Sequence, residues 1–364
     1  MVKRAMQMTA LAAVAALALA ACGSAPDEGG ESGTAGGSDS SFKACMVSDA
    51  GGFDDKSFNE SGYNGLMAAK ENLGIQTAVA ESKAESNFAP NIDNLISEGC
   101  NAIITVGFLL ATATGDAAQA NPDVEFAIVD STAQDADGNP IELDNVKPIS
   151  FDTAQASFLA GYLAAGMSKT GTVATYGGLE IPSVTIFMDG FVDGVANYNE
   201  THGTDVKTLG WNKETQDGSF AGGFEDQSQG QQLTQTFIDQ GADIIMPVAG
   251  PVGVGTLAAA KDATDVSVIW VDADGFETNP DSGDLILTSV LKEIGAGVED
   301  VITAASEDEF SNEPYVGTLE NGGVNIAPYH DFESKVPQEL KDEIDQLRQD
   351  IIDGTIVVES PSSP

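Results

Sequence analysis

Short runs of β-branched and apolar residues alternate along the chain with segments whose apolar positions recur every three or four residues. The runs predict strands at Ala44–Ser48, Gln76–Val79, Ala102–Gly107, Glu125–Val129 and Val146–Phe151. The spaced segments predict helices at Ser61–Leu73, Asn87–Glu98 and Thr112–Ala120; Ile92, Leu95 and Ile96 share one helical face. Gly74 and Gly99 stop helices, and Asn121-Pro122 blocks continuation of a third. A run such as "AIITVG" has no polar alternation, which implies burial on both faces and a parallel sheet.

The pattern then begins again. Helices are predicted at Ala156–Met167, Val184–Tyr198, Ser228–Gln240 and Gly253–Lys261, between the strand-like runs "TVATYGG", "VKTLGW", "ADIIMPVAG" and "SVIWVDAD". "LILTSVL" follows, then helices over Lys292–Ser306 and Gln338–Ile352 flanking "YVGTLENGGVNIAP". No repeat of 20–50 residues recurs in the letters, so the likeness between halves is architectural. The expected class is α/β: two doubly wound parallel-sheet lobes joined by three hinge crossings, near Ser150–Thr153, Thr288–Ser289 and Gly317–Gly323. Residues 42–150 with 289–317 form the first lobe, 151–288 with 318–355 the second, and 356–364 a disordered tail. Ligands of such sheets lie at the carboxyl ends of strands, which puts the site between the lobes.

The 364 residues carry 57 acidic and 15 basic side chains, a formal charge of −42. Such a surface repels nucleic acid and anionic lipid, and suits solubility in an exposed or salty medium. The amino terminus reads as an address: Lys3 and Arg4, an Ala/Leu-rich stretch from Ala10 to Ala21 too short to span a bilayer, then Leu19-Ala20-Ala21-Cys22-Gly23. This resembles a lipobox, with residues 1–21 removed and Cys22 acylated. Residues 22–41 form a Gly/Ser-rich linker reaching roughly 25 Å as a random coil. The body is therefore expected to be held to the outer face of a cell membrane by lipid. Of three cysteines, Cys45 and Cys100 remain. Both open or precede predicted strands; they are a possible disulfide if those strands are neighbours, or two small buried apolar residues if not.

"SDAGGFDDKSFNESGYNG" (residues 48–65) follows the first strand directly. Gly51 and Gly52 permit a tight turn, Ser57 or Asn59 can cap the next helix, and Phe58 either folds inward or projects into the cleft. Other strand ends match it. "FAIVDS" stops at Asp130, "IIMPVAGPVGVG" ends in glycines that admit a ligand to the backbone, "VIWVDADGF" presents Asp272 and Asp274, and "LTSVLKEIG" delivers Lys292. Paired carboxylates accept hydrogen bonds from vicinal hydroxyls, and an aromatic ring suits a planar base or a sugar face.

These segments, with "GGLEIPSVTIFMDGFVDGV" and "ILTSVLK", together resemble the basic membrane protein family over residues 42–355. The "DDKSFN" segment is the most specific of them. The family comprises lipoproteins that bind solutes for ABC importers, similar in fold to type I periplasmic binding proteins, and members of known function bind purine and related nucleosides. The resemblance implies that Phe58 stacks on a base and that Asp130 bonds the base edge, with Lys56, Ser57 or Asn59 nearby. It implies that Asp49, Asp272, Lys292 and the backbone of Gly250 hold the ribose. Met246 stands where the family often has a second stacking aromatic; a thioether can also lie on a ring. Phe187 or Phe191, four apart on a helix, can line the cleft or fill its core. The implied partners are a nucleoside, a permease with its ATPase, and the membrane through the lipid; the implied state is a monomer without cofactor.

Other chemistries find little footing. His202 and His330 are the two histidines, far apart in sequence, which gives a metal site or a catalytic triad little support. "DADG" occurs at 135–138 and 272–275 without the rest of a calcium loop, and no phosphate-binding G-x-x-x-x-G-K-[ST] loop is present. An enzyme such as a nucleoside hydrolase would need a nucleophile–base pair that is not recognisable here. The remaining alternatives share the fold: a binding protein for a sugar or a signalling molecule, or a sensing receptor.

Overall fold

Uninterrupted apolar strands can only exist with both faces covered, and the observed architecture meets that need twice. A computed structural model describes residues 41–364. The expected signal peptide, Cys22 and the linker up to residue 40 lie outside the described residues. The first lobe contains β1 (Lys43–Ser48), α1 (Phe58–Leu73), β2 (Gln76–Ala80), α2 (Phe88–Ser97), β3 (Ala102–Val106), α3 (Ala111–Ala120), β4 (Glu125–Val129) and β5 (Val146–Phe151). The chain then enters the second lobe with α4 (Thr153–Met167), β6 (Thr172–Gly177), α5 (Pro182–His202) and β7 (Lys207–Leu209). A small hairpin, β8 (Trp211–Asn212) and β9 (Asp217–Gly218), precedes α6 (Gln227–Asp239), β10 (Ile244–Val248), α7 (Gly253–Asp262) and β11 (Ser267–Asp272). After α8 (Gly275–Thr278) and β12 (Ile286–Lys292), α9 (Ile294–Ser306) returns to pack on α1. Then β13 (Tyr315–Gly317) joins the first sheet, β14 (Val324–Ile326) the second, and α10 (Gln338–Ile352) lies against α4.

The sheet orders are β13-β5-β4-β3-β1-β2 and β14-β12-β11-β10-β6-β7. The first is parallel throughout; the second is parallel except where β14 pairs antiparallel with β12. Alternation along each strand sorts its residues between faces. In the first sheet Met46, Ile104 and Val129 join a core continuous with the second lobe, while Cys45, Ile103 and Phe126 pack with Ile92 and Leu95 of α2. In the second sheet Met246, Ile269 and Val271 face the α4–α5 side, and Ile245, Val268 and Trp270 pack with Phe237 and Leu257 of α6 and α7. Helices α1 and α9 meet at Gly65 and Gly295, where a Cβ on Gly65 would overlap the Gly295 carbonyl. Among the described residues no helix is long and apolar enough to cross a membrane.

Cys45 and Cys100 form a disulfide with their Cα atoms 6.0 Å apart, because β1 and β3 are neighbours and Cys100 sits just ahead of β3. This settles the alternative left open by the sequence.

Two boundaries differ from expectation. The expected crossing at 288–289 lies instead between Lys292 and Ile294, since β12 stays paired with β11 through Leu291 and with β14 through Lys292. The strand "ILTSVLK" stays buried through Thr288 and Ser289, so nothing ends the ladder at residue 288. Residues 356–364, expected as a disordered tail, lie on the second lobe. Val358 is buried, Lys213 Nζ donates to the Glu359 carbonyl, Ser360 Oγ donates to Asp189 Oδ2 at 2.6 Å, and Ser362 Oγ bonds Thr185 Oγ1 at 2.9 Å. One apolar anchor and short hydroxyl side chains suffice to hold a segment that composition marks as mobile.

Candidate functional site

The carboxyl ends of both sheets face each other, and the side chains after those strands meet in one cleft. Asp130 follows β4 and Asp272 ends β11, and both adopt left-handed backbone, φ 62° and 68°. Aspartate tolerates that region better than most residues, and the reversal turns the side chain out of the ladder toward the gap. Lys292, the last residue of β12, reaches across. Its Nζ pairs closely with Asp130 Oδ2 of the opposite lobe and lies 3.7 Å from Asp272 Oδ1. The ammonium also sits over three rings, 4.9 Å from the Phe58 centroid and 5.4 Å from those of Phe151 and Phe187.

The turn after β1 is built by its carboxylates. Asp55 Oδ1 accepts from the backbone N–H groups of Ser57 and Glu60 at 3.0 Å, and Oδ2 from that of Asn59 at 2.8 Å. Asp55, rather than the Ser57 or Asn59 side chain, thus satisfies the open N–H groups at the start of α1. Asn59 Nδ2 donates to Asp49 Oδ1 at 3.2 Å, and Asp49 lies against Gly107, where any Cβ would overlap its carboxylate. Ser57 Oγ is 2.8 Å from Asp272 Oδ2, and Trp270 Nε1 donates to the Lys56 carbonyl at 3.1 Å. Together with Lys292–Asp130, these contacts join the two lobes across the cleft.

The resulting cavity, about 520 Å³ including its open mouth, is lined by Asp49, Phe58, Asn59, Phe187, Gly250, Asp272 and Lys292 of the expected residues. Asp130 lines the adjoining space and reaches the cavity through Lys292. Five expected residues stand elsewhere. Ser57 lies behind the wall as an interlobe contact and does not line the cavity. The Lys56 side chain, on a backbone with φ 62° just before the helix, turns outward to Asp54, 2.6 Å away. Met246 is fully buried on the α4–α5 face of the second sheet; it is two residues short of the strand end, where Val248 reaches the cavity. Phe191, the alternative to Phe187, is core. Asp274 caps α8 and bonds His330 Nε2 at 2.7 Å, away from the cleft.

Sequence reasoning missed Phe108, Phe224, Asp55 and Pro251, which also line the cavity. Phe108 lies just past the end of β3, the strand-end position that marked Asp130 and Asp272. Phe224 comes from the loop after the β8–β9 hairpin and carries no such signal.

Four buried acidic side chains thus share the cleft region with one ammonium, which pairs with Asp130 and Asp272. Burial pushes the Asp49 carboxyl up to about 8, reinforced by the charges of Asp55 and Asp130 against the Asn59 hydrogen bond. Burial likewise raises Asp55 to about 6 against its three backbone donors. It raises Asp130 too, against the pull of Lys292. A buried carboxyl whose native value is raised holds its proton while the unfolded chain has lost it, so stability falls as pH climbs between the two values. The share of Asp55 is complete by about pH 6, while Asp49 acts up to about pH 8. Between these limits Asp49 should contribute a drop in the unfolding free energy in urea of up to about 1.4 kcal/mol per pH unit. Asp49→Asn should make that slope shallower, and an equal slope in the variant would disprove the assignment.

The whole body, residues 42–362, matches the family model for PnrA-like ABC transporter substrate-binding proteins, Bmp. The chain belongs to this family. It is 31% identical to the ABC transporter nucleoside-binding protein BmpA of Lactococcus lactis, over 99% of this chain and 100% of that protein. It is also 31% identical to basic membrane protein A of Borreliella burgdorferi, over 87% and 88% of the two chains. Among solved structures, an ABC transporter solute-binding protein from Aeropyrum pernix superposes with a TM-score of 0.78 at 23% identity, covering 88% of this chain and 94% of that one. A transcriptional activator of the comK gene from Bacillus halodurans superposes at 0.69 and 20% identity, covering 87% and 100%. The fold is that of the type I periplasmic binding proteins, and the family is one of extracytoplasmic substrate-binding proteins of ABC transporters.

Proposed function

We propose that this protein binds a nucleoside, a purine nucleoside foremost, in the interlobe cleft and hands it to an ABC permease. The observation that carries the reading is the joining, in one partly enclosed cavity, of aromatic rings with carboxylates on facing strand ends. Phe58 stacks on the base and Phe187 closes on it from the second lobe. Asp130 takes hydrogen bonds from the base edge. Asp49 and Asp272 accept from the ribose hydroxyls, with Lys292 and the Gly250 backbone completing the shell. An acidic cleft with one cation, already paired, disfavours a phosphate, so the nucleoside rather than the nucleotide fits. The nucleoside-binding relative from L. lactis supports the same class.

Binding begins on one lobe in the open form, and rotation about the three crossings closes the other over the ligand. The ligand shifts this equilibrium by the contacts made only when closed, among them those to Lys292 and Asp272. Acylated Cys22 and the acidic linker hold the monomeric body to the cell membrane within reach of the permease.

Calorimetric titration of the purified protein with adenosine, guanosine, inosine, uridine, cytidine and ribose tests the ligand class. Tight binding of a nucleoside without ribose supports the reading; ribose alone, or silence from every nucleoside, overturns it. Within the panel, Phe58→Ala should weaken binding about 5–150-fold, the loss of one base–aromatic stack worth about 1–3 kcal/mol. Lys56→Ala should change affinity less than about twofold, since that side chain faces solvent. Equal losses in the two variants would contradict the assigned geometry.

A further inference from the structure

Beside the cleft lies a second chamber of about 620 Å³ including its mouth, and the two share Phe108, Ser183 and Lys292 as a common wall. Its surface differs from that of the first. Ser131, Thr132, Ser150 and Thr153 line it from the first lobe and the first crossing, with Ser362 of the carboxyl-terminal segment on the second lobe. Its one ion pair, Asp130–Lys292, is already matched. Apart from that pair its lining side chains are neutral and offer hydroxyl and amide hydrogen bonds, and Pro364 closes the wall beside Ser362.

One group in it is incompletely used. Thr153 opens α4, is 1% exposed and lines the chamber, yet its Oγ1 has no hydrogen-bond partner. A buried hydroxyl without a partner loses its water and gains nothing, and threonine in a helix has two accessible rotamers through which that hydroxyl can find one. Such orphan groups are rare in folded proteins and mark places where another polar group belongs.

We infer that this chamber is a second subsite of the cleft, taking a neutral polar substituent carried on the edge of the base. The inference rests on the nucleoside reading above. Asp130 lines the second chamber, so a base whose edge reaches Asp130 directs its exocyclic substituent there. The protein therefore accepts purine nucleosides whose six-membered ring bears a short hydroxylated chain, and Thr153 reads that hydroxyl.

The test uses the purified full chain and calorimetry with adenosine, N6-(2-hydroxyethyl)adenosine and its near-isostere N6-propyladenosine. The hydroxyethyl compound should bind within about threefold of adenosine and about tenfold tighter than the propyl compound. Thr153→Val keeps the shape and removes the hydroxyl. It should erase most of that tenfold preference while leaving adenosine affinity and melting temperature unchanged or higher, which a purely structural threonine would not do. Thr132→Phe fills the chamber from an exposed position and should exclude both extended ligands while adenosine still binds. If adenosine binds and the hydroxyethyl compound is about 100-fold weaker, or its preference survives both variants, the subsite is overturned. If adenosine, guanosine and inosine all give no heat, the nucleoside reading itself fails and the subsite with it.

Discussion

Lys292→Met is expected to weaken ligand binding by about two to three orders of magnitude, more than any other single change in the cleft. The lysine side chain is 2% exposed, and its two carboxylate partners, Asp130 and Asp272, are 6% and 10% exposed. Methionine keeps the length and removes the charge. Two buried carboxylates are then left without a cation, beside Asp49 and Asp55, and breaking a buried pair in this way costs about 3–5 kcal/mol. The cost falls mainly on the closed form, because Asp130 belongs to the first lobe and Lys292 to the second. Separating the lobes lets water reach Asp130. Calorimetry should therefore show the affinity loss, and small-angle scattering a larger envelope with ligand present. Adding Asp130→Asn to the variant should recover part of the loss, since a neutral amide needs no counter-charge. Retained affinity within about tenfold of the parent would show that Lys292 is not the link between lobes.

The second large effect concerns stability rather than binding. The Cys45–Cys100 bridge closes a segment with a sequence separation of 55. On the chain-entropy model, removing it costs about 4 kcal/mol of unfolding free energy. Both cysteines are buried, so the double Cys45→Ala, Cys100→Ala variant also loses a little packing. Urea unfolding with and without reductant should reveal the difference in the parent and none in the double variant. Ligand affinity should hardly change in conditions where the variant remains folded. Cys100 precedes the amino end of β3, whereas the cleft gathers at the carboxyl ends. A loss below about 1 kcal/mol would mean that the unfolded chain is already constrained there.

Much of this protein is determined by its sequence alone. The strands are legible because a strand covered on both faces reads as a nearly continuous apolar run, as Ala102–Val106 does with Thr105 its one polar residue. Glycine stops and helical spacing then place α2 and α3 to within a residue at each end and fix the end of α1, which starts at Phe58, three residues before the expected Ser61. Once the strands are known, the rule that open α/β sheets bind at their carboxyl ends brings Asp49, Phe58, Asp130, Asp272 and Lys292 to one place, wherever each lies in the chain.

Tertiary structure alone decided what depends on the direction of a side chain or on a distant partner. Met246 and Val248 share a strand face two residues apart, and only the depth of the strand end separates core from cleft. Lys56 and Asp130 both have φ 62°, yet one side chain turns to solvent and the other to Lys292, because different neighbours surround them. The second crossing slips from residue 288 to Lys292 because β14, more than thirty residues later, pairs with the end of β12. The segment 356–364 is ordered by Asp189, Thr185 and Lys213, which no local pattern connects to it. Periodicity records whether a position is buried. It carries no information about which long-range contact buries it, and that choice is made only when distant segments come together and their side chains compete for the same space.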